Sequence, residues 1–154
     1  MPPPASFTDA GQLEVGGAIT SDSFWDPTGQ VWVYQALTDR SQAGFTAGLF
    51  QGVPTLGAAY QKINRARRLG VAIEGGLVYV RVGMPVLFPL GDRSTIYLRP
   101  TVGAEINNPV ILPIGYEAAM GKGVFRLEAG SYLAPARDLT NQPIYVAAGG
   151  GLRF

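Results

Sequence analysis

The chain contains neither cysteine nor histidine in its 154 residues. Without cysteine there is no disulfide framework and no thiolate chemistry. Without histidine the usual imidazole base is missing, and so are most metal sites. Charge is scarce too: Asp, Glu, Lys and Arg make up 15% of the chain, against about a quarter in ordinary soluble domains. Lysine is nearly absent, with only Lys62 and Lys122. The formal net charge of +1 gives no electrostatic reason to expect nucleic acid as a partner. No run of about 18 apolar residues exists, which excludes a transmembrane helix but not membrane-crossing strands.

Glycine and proline are plentiful, at 21 and 12 residues, and favour turns and strands over helices. Residues 1–10, "MPPPASFTDA", read as a Pro-rich extension without the apolar core of a leader, so the chain is expected to be a mature form. Residues 11–154 read as one domain. Across them period-two alternation recurs between turn signals such as "SDSFWDPTG", "DRSQ", "LGDRS", "NNP" and "GKG". Residues 54–68 are ambiguous between a strand and a segment with helical character. At Gly75-Gly76 the apolar phase flips by one residue, which means either a β-bulge or a tight hairpin. The late strands, Thr95–Ile106, Val110–Met120, Val124–Ala134 and Ile144–Phe154, are long enough to cross a bilayer when tilted.

The charges are sorted by element. All six aspartates fall in the N-terminal segment or in turns, and all five glutamates fall in predicted strands. In the late strands every charge keeps to one face. Arg99 and Glu105 share theirs with Thr95, Tyr97, Thr101 and Gly103, opposite Ile96, Leu98 and Val102. Arg153 shares its face with Tyr145, Ala147, Gly149 and Gly151, opposite Val146, Leu152 and Phe154. A solvent-facing surface would carry lysines rather than glycines. Near-matched arginines and glutamates suit a closed interior, where charges must be paired. An interior network of Glu14, Glu74, Arg81, Arg99, Glu105, Glu117, Arg126, Glu128 and Arg153 is therefore expected, as a structural filling or as the lining of a narrow passive pore. The opposite orientation, a soluble lipocalin-like barrel around an apolar ligand, obeys the same alternation.

The ending "GGGLRF" resembles the C-terminal signature of bacterial outer-membrane β-barrels, with Gly149, Leu152 and Phe154 in the matching places; Ala147 stands where a polar residue is usual. In length and pattern, residues 11–154 resemble the small barrels of the OmpA transmembrane domain and OmpX type. The resemblance implies an antiparallel up-and-down transmembrane β-barrel in the cell outer membrane, with both termini in the periplasm. It also implies that the barrel assembly machinery binds the final strand. Eight strands are expected, or ten if residues 54–68 and the Gly75-Gly76 flip each add to the count. Lys62, Arg65, Arg67 and Arg68 form a basic cluster suited to phosphates of lipopolysaccharide or another envelope polymer. Phe24, Trp25, Phe88 and Phe154 are candidate interfacial anchors. The barrel enzymes of this class use histidine, so no catalysis and no cofactor are expected. The expected role is envelope integrity, anchoring, or a small subunit of a surface assembly with a protein partner in the envelope.

Overall fold

The computed structural model describes residues 10–22, 27–50, 53–64, 68–76, 80–104, 110–133 and 144–154, excepting the side chains at 22, 27, 50, 53, 104 and 132. Twelve strand segments form a single sheet. They are β1 (Leu13–Asp22), β2 (Pro27–Thr38), β3 (Ser41–Phe50), β4 (Val53–Asn64), β5 (Leu69–Gly76), β6 (Val80–Gly83), β7 (Val86–Pro89), β8 (Ser94–Leu98), β9 (Thr101–Ala104), β10 (Val110–Met120), β11 (Gly123–Leu133) and β12 (Ile144–Arg153). All neighbours are antiparallel. β1 pairs with β12, β12 with β11 and β11 with β10, so the sheet closes on itself and leaves no edge.

Two staves are each written in two segments, and proline is the cause. Pro85 separates β6 from β7, and Pro100 separates β8 from β9. Neither can donate to the ladder. Pairing continues across the gaps: Met84 N–H donates to the Pro100 carbonyl at 2.9 Å, and Gly70 N–H to that of Pro85 at 2.8 Å. The barrel thus has ten staves, the larger of the two expected counts. Both ambiguous regions add to it. Residues 53–64 are a strand rather than a helix, and the Gly75-Gly76 phase flip is a hairpin, with Gly75 opposite Val80.

At the end where β1 begins and β12 finishes, the fully described turns, between β2 and β3, β7 and β8, and β10 and β11, are short. Gly91 and Gly121 take positive φ there (117° and 63°), and Arg68 does so as a non-glycine (φ 54°). In the first of these turns the Thr38 hydroxyl accepts from Arg40 N–H at 3.1 Å. This is called the turn end below, and the opposite end the loop end.

Side chains are sorted inside-out relative to a soluble protein. Among the described residues thirty large apolar side chains are exposed, and eleven apolar residues are buried. Ile19 and Phe45 are each 68% exposed, Val102 59% and Ile114 56%, and they lie all around the wall. Such a continuous apolar surface is far larger than the patches monomeric soluble proteins tolerate. The lumen instead receives Glu14, Glu74, Arg99, Glu117 and Arg126, all buried. A soluble barrel with an apolar cavity is the opposite of this arrangement.

Candidate functional site

The lumen is built by alternation: each stave turns every second residue inward. Its glycines have a definite task. Four buried aromatic rings point inward, and each lies directly across the ladder from a glycine: Trp32 from Gly16, Tyr34 from Gly44, Tyr97 from Gly115, Tyr145 from Gly130. A Cβ at Gly16 would meet the Trp32 ring at 2.6 Å, and one at Gly130 would meet the Tyr145 ring at 2.5 Å. The Tyr97 ring occupies the same space over Gly115. Glycine on one strand therefore lets a ring lie flat across its neighbour and fill the lumen.

Toward the turn end the charges form a closed quartet. Arg126 grips Glu14 with both terminal nitrogens, Nη1 to Oε1 at 2.6 Å and Nη2 to Oε2 at 3.0 Å, while its Nε donates to Glu117 Oε2 at 2.7 Å. Arg153 closes the ring from β12, through Nε to Glu14 Oε2 at 3.1 Å and Nη2 to Glu117 Oε1 at 3.2 Å. Trp32 Nε1 donates to Glu14 at 3.1 Å, and the Arg126 guanidinium lies 5.6 Å from the Trp32 ring centroid. Two cations and two anions with forked geometry are a combination that tolerates burial. Beside the quartet Ile63, Leu87 and Tyr97 form an apolar cluster within the lumen.

Nearer the middle, Glu128 is the hub of a second group. Tyr145 and Tyr97 donate their hydroxyls to it at 2.7 and 2.9 Å, and Arg99 Nη2 does so at 2.9 Å. The buried Glu74 accepts from Thr46 at 3.0 Å and faces Arg81 across the β5–β6 ladder. From here toward the loop end the inward residues shrink to Thr20, Thr28, Gly48, Thr55 and Ala147. They enclose a cavity of about 220 Å³ whose walls also include Glu74, Arg81, Arg99 and Glu128.

Eight of the nine predicted interior charges thus face the lumen. Glu105 lies outside the described residues. Among the basic cluster, Lys62 and Arg68 are exposed at the turn end, away from the lumen, and Arg65 and Arg67 fall outside the described residues. In the closing strand Gly149 faces inward against β1, while Leu152 and Phe154 point outward with 55% and 65% of their surfaces exposed. Phe154 also exchanges backbone hydrogen bonds with Leu13 at 2.9 and 3.2 Å. Of the aromatic anchors, Phe88 and Phe154 are exposed, whereas Phe24 and Trp25 are not among the described residues. Sequence reasoning missed Trp32, Tyr97, Tyr145 and Thr46 as carboxylate donors. Their signal was phase, because each falls on the face of its strand opposite the apolar residues.

No protein-family model and no curated protein sequence matches the chain. Solved structures match in shape. A de novo designed transmembrane β-barrel superposes with a TM-score of 0.54 at 10% identity, over 96% of this chain and 99% of that one. The N-terminal β-barrel domain of Pseudomonas aeruginosa OprF gives 0.46 at 11% identity, over 96% of this chain and 100% of that one. The class that follows is a transmembrane β-barrel: a closed antiparallel wall, apolar outside and charge-paired within. The barrel is ten-staved.

Proposed function

We propose that the protein is an integral outer-membrane barrel whose lumen is a structural filling, not a conduit. It would serve envelope integrity or anchoring, alone or as a small subunit of a surface assembly, and without catalysis. One observation carries this reading. At the turn end Gln61, Ala72 and Glu117 expose 2% or less of their surfaces, and the Arg126–Glu14–Arg153–Glu117 ring spans the bore. A lumen filled in this way leaves water no continuous path. In this reading the outward Leu152 and Phe154 present the final strand to the barrel assembly machinery.

Reconstitution into planar bilayers tests the proposal. The filled barrel gives no discrete conductance steps, and its electrophoretic mobility differs between unheated and boiled samples. The cavity of about 220 Å³ favours a second reading, a narrow passive pore for small solutes. Reproducible single-channel steps from the unaltered protein would establish that reading and overturn the first.

A further inference from the structure

The cavity of about 220 Å³ has polar side chains that the two ion-paired groups do not use: Thr20, Thr28, Gln30 and Thr55. None of the four makes a side-chain hydrogen bond among the described residues. They lie in an arc over β1, β2 and β4. Thr20 and Thr28 are ladder partners, and Thr55 stands across from Gly48. Gln30 has Ala18 on one side and Gly48 on the other, so neither ladder neighbour offers its amide a polar side chain. Hydroxyls and an amide on a concave wall serve water or a ligand.

The charged groups of the same cavity are already engaged. Glu128 takes three donors, from Tyr97, Tyr145 and Arg99. Glu74 accepts from Thr46 and lies across the ladder from Arg81. Arg126 commits all three nitrogens to the quartet. A charged ligand would therefore shed its water without gaining a counter-ion of its own. An uncharged, hydroxylated one meets groups that both donate and accept. Trp32, Ile111 and Pro113 add carbon surface to the wall, which suits the C–H faces of a compact polyol. The volume of about 220 Å³ equals that of about seven waters at about 30 Å³ each. It falls below the roughly 300 Å³ at which ordinary ligand pockets begin, so a single sugar ring is the upper limit of size.

We infer that the loop half of the lumen is a binding site for a neutral, polyhydroxylated molecule no larger than one sugar ring. The inference rests on the filled-lumen reading above, because the quartet across the bore makes this site a dead end.

The test uses the full chain with Trp25→Phe, which leaves Trp32 as its one tryptophan, refolded in a detergent without a sugar headgroup. Glucose, galactose and mannose are titrated separately while the Trp32 emission is followed. At least one gives a saturating change in the millimolar range, and maltose, with two rings of the same chemistry, gives none. Glucuronate and protonated glucosamine bind at least about tenfold more weakly than that neutral sugar. Thr20→Val, Thr28→Val and Thr55→Val keep the shape of the wall and remove a hydroxyl; each weakens binding about threefold to tenfold. No saturating change with any of the three sugars overturns the inference. So does maltose or a charged sugar binding as tightly as the neutral ring. Unchanged affinity in the triple Thr→Val variant overturns it too. Each sample is also run in planar bilayers. Discrete conductance steps sink the filled-lumen reading and the dead-end site with it, whereas silent bilayers without sugar binding sink only the site.

Discussion

The two halves of the lumen solve the same problem differently. A ten-stave wall encloses more volume than an eight-stave one, whose interior side chains just fill. The turn half takes up the extra volume with large side chains, of which Trp32, Tyr97, Arg126 and Arg153 each reach a carboxylate partner. Toward the loop end the inward residues include Thr20, Thr28, Gly48, Thr55 and Ala147, and with Glu74, Arg81, Arg99 and Glu128 they leave a cavity of about 220 Å³. Filling is thus a property of side-chain size and pairing, not of the wall. The turn half is expected to bear the stability, and the loop half to tolerate change.

The largest effect is expected where the quartet is broken. Arg126→Met leaves Glu14 and Glu117 buried with only Arg153 between them, at a cost of about 3–5 kcal/mol. Urea unfolding of the refolded protein followed by gel mobility measures it. Adding Glu117→Gln to that variant restores charge balance and should recover part of the loss; no recovery would mean that packing rather than charge governs this half.

Next comes the wall. Ile114→Arg puts a charge on the acyl-facing surface of β10 and should cost about 2–4 kcal/mol in bilayers. The same substitution in a soluble barrel would be nearly neutral. Gly115→Ala follows, because the added methyl meets the Tyr97 ring; about 1–3 kcal/mol is expected, and Tyr97→Ala in the same chain should remove most of the penalty specific to Gly115. The smallest effect belongs to the cavity wall. Thr55→Val should change stability by no more than about 0.5 kcal/mol, and a larger loss would show that the loop half is not permissive.

The sorting of charges onto one face was legible because phase is a local property: Arg99, Glu117, Arg126, Glu128 and Arg153 each fall on the side of a strand opposite its apolar residues. Alternation serves either orientation, so which face points inward was read instead from the scarcity of lysine, the glycines and the near-matched arginines and glutamates on the charged face. The count of ten was harder to read, for a physical reason in β4. Near the turn end the polarity there inverts, with Lys62 outward and Ile63 inward. A charge on the outer face and an apolar side chain on the inner one blur the strand's pattern. The segmentation at Pro85 and Pro100 was hidden because both prolines keep the strand's phase. Pairing across the lumen was not legible at all. Glu14 and Arg126 are 112 residues apart, and which arginine meets which glutamate depends on register around the whole barrel.

The most direct measurement uses the absence of cysteine, which lets a single nitroxide be placed without background. With Ile114→Cys labelled in lipid vesicles, collisions with oxygen dissolved in the acyl chains should be frequent, and collisions with a water-soluble nickel chelate rare. Frequent nickel collisions and few with oxygen would place this face of β10 in water and contradict the arrangement of apolar wall and ion-paired centre.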